Sequence, residues 1–300
     1  MDVIKVWKMI NNVLNYINDF NSGFKEQSML DMDLLISYIQ NMYEIGMTDA
    51  AYWQDTEVDF PIIRECVERV HKAGISDDYT EIYDIVNYDL SRRIRCVADV
   101  IFDKDIVELQ TYFWNINKNA LKMRYPETLE DIEKIPMERE QQCFRSYGIR
   151  GRVVYRTEKE NECDLYSGYN PIGLSRRMME MINVRKYKKI YIWGSNTGFE
   201  ANGIVQPAEG KIEVTIYIDN LAEFKQVLLN TSRTGVLLYP DIKYRFHMGL
   251  RDLIENFDLQ KKDDSYIYVC VSGGEDVSIL RQFICNNLIN SNIEVIDERG

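Results

Sequence analysis

The sequence predicts an α/β protein: a helical N-terminal domain, then a mostly parallel sheet of about five strands. Three observations point there. Apolar residues recur at helical spacing through roughly the first hundred residues. From Lys188 onward, short β-rich runs alternate with helical stretches, the pattern of strands joined by crossover helices. The chain has 300 residues, 45% of them hydrophobic, which is length and apolar material for two compact units.

Val3, Trp7, Ile10, Leu14 and Ile17 fall on one helical face, with Asp2 placed to cap the start and Asn21-Ser22-Gly23 to stop it. Leu34, Leu35, Tyr38, Ile39 and Met42 mark a second stripe that ends at Gly46. Pro61 opens a third helix carrying Ile62, Ile63, Cys66 and Val70, closed by Gly74. Ser76-Asp77-Asp78 caps a fourth with Ile82, Ile85, Val86 and Leu90 inward, and another helix is expected from Ile101 to Leu121. Each stripe needs covering by another, hence a bundle. Two short strands follow, 152–156 and 163–166, around a polar turn, then a helix near 175–183. The expected sheet strands are 189–193, 212–218, 235–239, 266–271 and 293–296, with helices at 221–230, 246–256 and 277–288. The expected divisions are a helical domain over 1–108, a connecting segment over 109–184 and the α/β domain over 185–300.

Composition narrows the function. Lys and Arg total 36 against 48 Asp and Glu, a formal net charge of −12. With no surplus of cations to displace phosphate counterions, general nucleic-acid binding is not expected, though a local anion pocket stays open. No run of 18 apolar residues predicts a membrane span, and no apolar h-region follows Lys5 to predict a secretory signal. The six cysteines form no CxxC pair, so they are expected to be reduced structural thiols in a cytoplasmic protein. With only His71 and His247 as histidines, no metal site is expected.

Gly194-Ser195-Asn196-Thr197-Gly198-Phe199-Glu200 is the leading chemical signal. A glycine turn straight after a strand lets a ligand approach the backbone, and ligands of open α/β sheets bind at that edge. The spacing is GxxxG rather than GxGxxG, and the same turn also serves packing alone. Asp219 ends the second expected strand, 25 residues beyond Gly194. An acidic residue there can accept hydrogen bonds from ribose hydroxyls in a Rossmann-like site, or it can cap the next helix. The candidate ligand-binding set is Gly194, Ser195, Asn196, Gly198, Glu200, Asp219 and Asn220, with Asp241 as a further loop carboxylate at the same edge. Ser272-Gly273-Gly274-Glu275-Asp276 is expected to be a structural turn, since its carboxylates repel phosphate. No nucleophile–base pair is evident, so the catalytic residues are unassigned.

Residues 115–260 also resemble the N-terminal portion of the motility-associated factor family of bacterial glycosyltransferases. Asn119-Ala120-Leu121-Lys122-Met123-Arg124-Tyr125-Pro126-Glu127 is similar to its N-x-x-A-L-K-x-R-[FY]-P-E opening. Asp164 to Pro171 is similar to its L-H-S-x-Y-x-P segment, with Tyr166 in place of the histidine. Gly194 to Glu200, then Ile218 to Phe224, are similar to its glycine strand and E-P-x-x-x-x-F pair, with Asn196 reducing the glycine pattern. The resemblance implies a bacterial cytoplasmic protein of flagellin or surface-protein glycosylation that binds a CMP-sugar or other nucleotide sugar. It also implies that the family's later domain, with a G-A-G-P-S-L loop, is absent, so a separate glycosyltransferase chain is an expected partner. Two other readings stay open: an S-adenosylmethionine-dependent methyltransferase using the same turn and Asp219, and a non-catalytic interaction module.

Overall fold

A computed structural model describes residues 1–21, 32–136, 143–146, 153–156, 162–164, 188–193, 212–218, 220–246, 265–271 and 292–297. The chain divides into two compact units: residues 1–112 with 146–151, and residues 113–145 with 152–300.

The first unit is helical over its described residues from 1 to 112 apart from the turns between helices. Helix α1 spans Val3–Asn21, α2 Met32–Thr48, α3 Ala50–Trp53, α4 Phe60–Ile75 and α5 Tyr79–Asp84. Most of the expected stripe residues form its core: Val3, Trp7, Ile10, Leu14 and Ile17 are all buried, as are Leu35, Ile39, Met42, Ile63, Cys66 and Val70, whereas Leu34 is exposed and Tyr38 and Ile62 are only partly buried. Trp7 meets Phe102 edge to face, ring centroids 4.7 Å apart. Three aspartates start helices by accepting backbone N–H groups: Asp2 from Lys5, Asp59 from Ile62 and Asp78 from Glu81.

Two local departures from the expected helices have visible causes. Ile85–Leu90 is a π-helical turn between α5 and helix α6, Ser91–Arg124. The wider turn keeps Ile85, Val86 and Leu90 all inward. Helix α6 thus begins ten residues earlier than the apolar pattern indicated, and it kinks at Asp105, where φ is −127° and ψ 29°. There the Tyr52 hydroxyl donates to the Asp105 carboxylate, and the Lys104 ammonium donates to the Tyr52 carbonyl. Burial, then Asp105, raises the Tyr52 phenol.

The second unit is α/β. Among the described residues its helices are the end of α6 from Phe113, α7 (Pro126–Lys134), α8 (Leu221–Asn230) and α9 (Thr234–Leu237). Strands β1 (Cys143–Ser146), β2 (Val153–Arg156) and β3 (Glu162–Asp164) form a small sheet in that order, with β2 and β3 antiparallel. The larger sheet holds β4 (Lys189–Trp193), β5 (Glu213–Ile218), β6 (Ile242–Phe246), β7 (Ser265–Val271) and β8 (Asn292–Asp297). Its order is β6-β5-β4-β7-β8, and every neighbouring pair is parallel. Ile190, Ile192, Val214, Ile216, Ile218, Ile242 and Tyr244 line one face. They pack with Ala120, Leu121, Leu129, Ile132, Leu221, Phe224 and Leu228 from the helices. Residues 113–134, expected within a connecting segment, therefore contribute Ala120, Leu121, Leu129 and Ile132 to the core of this unit.

The third expected sheet strand, 235–239, is corrected. Thr234–Leu237 is a helical turn, and the strand is Ile242–Phe246. Gly235 to Tyr239 is a short apolar run, which periodicity alone cannot assign. Val236 and Leu237 are buried from a helix instead. The true strand carries the alternation of a half-buried strand: Ile242 and Tyr244 are buried, while Lys243 and Arg245 are exposed.

Candidate functional site

Because neighbouring strands of the larger sheet are parallel, Trp193, Ile218, Phe246, Val271 and Asp297 all end on one edge. Chain order reverses direction between β4 and β7: one branch runs β4 to β5 to β6, the other β7 to β8. Ligands of open α/β sheets sit outside the strands' carboxyl ends at such a reversal, where diverging connections leave a crevice. Register sets Trp193 beside Tyr217 on one side and Val269 on the other. Gly194 is the residue after β4, and Asp219 is the residue after β5. Gly194, Ser195, Asn196, Gly198, Glu200 and Asp219 lie outside the described residues.

Asn220 and Asp241, the two described candidates, are both accounted for by structure. The Asn220 side-chain oxygen accepts the Glu223 N–H at 3.1 Å, which makes Asn220 the N-cap of α8. The capping duty weighed for Asp219 is therefore held by its neighbour. Asp241 was expected at the ligand edge because β6 was expected to precede it. With β6 starting at Ile242, Asp241 stands at the opposite, N-terminal edge, where its carbonyl accepts the Val214 N–H at 2.9 Å. It does not stand at the carboxyl edge of the sheet.

The helical layer contributes further polar side chains with definite work. Asn117 is fully buried. It donates to the carbonyls of Leu228 and Thr231, each at 2.7 Å, and accepts the Arg233 N–H at 2.8 Å. The Arg124 guanidinium donates to the carbonyls of Leu237 and Tyr239. The Tyr125 hydroxyl accepts the Tyr244 N–H at 3.1 Å, on the outer edge of β6. Together these three side chains hold the chain from the end of α8 into β6. Arg124 and Tyr125 belong to the segment that carries the family resemblance, and their contacts are structural. Ala120 and Leu121 of the same segment are core, and Pro126 starts α7.

Lys225 lies on α8 and is 5% exposed. Its ammonium donates to the carbonyls of Ile132 at 3.0 Å and Ile135 at 2.5 Å, closing the C-terminal end of α7, and lies 5.5 Å from the centroid of the Trp114 ring. Burial pushes this ammonium below the usual lysine range, against the opposing pull of Glu133. A cleft of about 410 Å³ opens here, lined by Trp114, Glu133, Lys134, Ile135, Pro136 and Lys225. On the sheet, Tyr191 and Tyr217 stack across β4 and β5 at 6.4 Å, and burial pushes the Tyr217 phenol up to about 12.

Sequence reasoning passed over Asn117, Arg124 and Lys225. The signal was present for two of them: Asn117 continues a stripe with Phe113, Ala120 and Leu121, and Lys225 one with Leu221, Leu228 and Leu229. A polar side chain on an inward stripe has to find partners. Among the described residues, no helix is long and apolar enough to cross a membrane, and no group of His, Cys, Asp and Glu is arranged to hold a metal ion. Compared with known proteins, the chain matches no family model, no curated protein and no solved structure.

Proposed function

We propose that the α/β unit is Rossmann-like and binds a nucleotide-bearing ligand, a CMP-sugar or other nucleotide sugar, at the carboxyl edge of its sheet beside β4 and β5. The observation that carries this reading is the strand order. Numbered by position in the chain it runs 3-2-1-4-5, so the reversal falls next to the strand that leads into Gly194. The Asn220 cap adds support, because the helix after β5 is started without Asp219. In this reading the backbone of Gly194–Gly198 approaches the nucleotide, Glu200 flanks the turn, and Asp219 accepts hydrogen bonds from the ribose. The resemblance to motility-associated factor glycosyltransferases supplies the setting: cytoplasmic glycosylation of flagellin or another surface protein.

Thermal denaturation with CMP, UDP and GDP, their sugars, and S-adenosylmethionine tests the proposal. A ligand at about 100 times its Kd adds about 2.7 kcal/mol, a clear rise in Tm. A rise with CMP or a CMP-sugar supports the nucleotide-sugar reading, and a rise with S-adenosylmethionine moves it to methyl transfer. No rise with any of them leaves a non-catalytic interaction module. Two variants separate ligand from fold. Asp219→Ala should abolish the ligand-induced rise at nearly unchanged basal Tm, whereas Asn220→Ala should cost about 1 kcal/mol of basal stability through the lost cap. If Asp219→Ala instead lowers basal stability as far as Asn220→Ala does, Asp219 has a structural role and the ribose assignment fails.

A further inference from the structure

We draw no further inference here: the strongest candidate, the cleft of about 410 Å³ between Trp114 and Lys225 on the helical layer of the α/β unit, carries nothing because each charged group lining it is already matched within the fold, Lys225 to the Ile132 and Ile135 carbonyls, Glu133 to Lys118 and Lys134 to Asp131, which leaves no unmatched charge to select a ligand.

Discussion

Asn117 shows what one buried amide can hold. It sits on α6 yet satisfies two carbonyls and one N–H around the turn that leaves α8. A single replacement would orphan three backbone groups at once, in a site with no solvent. Each such group costs roughly 1–3 kcal/mol when left unpaired, with partial relief from relaxation. Asn117→Leu is thus expected to destabilise the α/β unit by about 3 kcal/mol, measured by urea denaturation. A loss below about 0.5 kcal/mol would mean that the turn finds other partners.

Lys225 makes a second residue-scale case, through pH. Burial lowers its folded value, so the unfolded chain keeps this proton to higher pH than the folded chain does. Stability rises with pH wherever the unfolded state holds more protons. The Lys225 contribution should therefore rise through the alkaline window that ends at the ordinary lysine value, about 10.4. Comparing urea denaturation of wild type and Lys225→Met across that window isolates it. The variant should lack the rise; an identical slope in both proteins would assign it to other groups.

At the scale of elements, α6 and α7 belong to the sheet's core as firmly as α8 does. Leu121 is fully buried against the strand face, together with Ala120, Leu129 and Ile132. Leu121→Ala leaves a cavity in that layer and should cost about 3 kcal/mol. The matching observable is loss of hydrogen-exchange protection in β5 and β6 ahead of the N-terminal helices. Unchanged protection in those strands would show that the sheet is stable without this layer. The stripes of α6 and α8 were legible in the sequence as helices through their 3.6-residue period, whereas α7, between Pro126 and Pro136, was not expected as a helix. Membership of α6 and α7 in the sheet unit was not legible, since periodicity shows that a face must be covered and not by what. The β6 strand failed for the opposite reason. Ile242, Tyr244 and Phe246 alternate visibly, but the neighbouring run from Gly235 to Tyr239 is more apolar and drew the assignment. Moving β6 seven residues along the chain carried Asp241 from one edge of the sheet to the other.

For the molecule as a whole, the change in period suggested three segments, helical over 1–108, connecting over 109–184 and α/β over 185–300, whereas the chain divides into two compact units. The expected break at 108 and the observed one at 112 differ by about a helical turn, because one long helix, α6, runs through both numbers. The site was legible only as an edge. A glycine turn after the first strand and an acid after the second are local facts, and the strand order that gives them meaning is set by long-range pairing, which no local pattern encodes. The proposed nucleotide-bearing ligand binds at that carboxyl edge. Hydrogen-exchange mass spectrometry with and without saturating CMP-sugar tests it most directly, by comparing peptides over 193–200 and 217–224 with one over 237–243. Binding there slows exchange in the first two peptides and leaves the third unchanged; slowed exchange at 237–243 alone, or in none of them with any nucleotide or S-adenosylmethionine, would overturn the proposal.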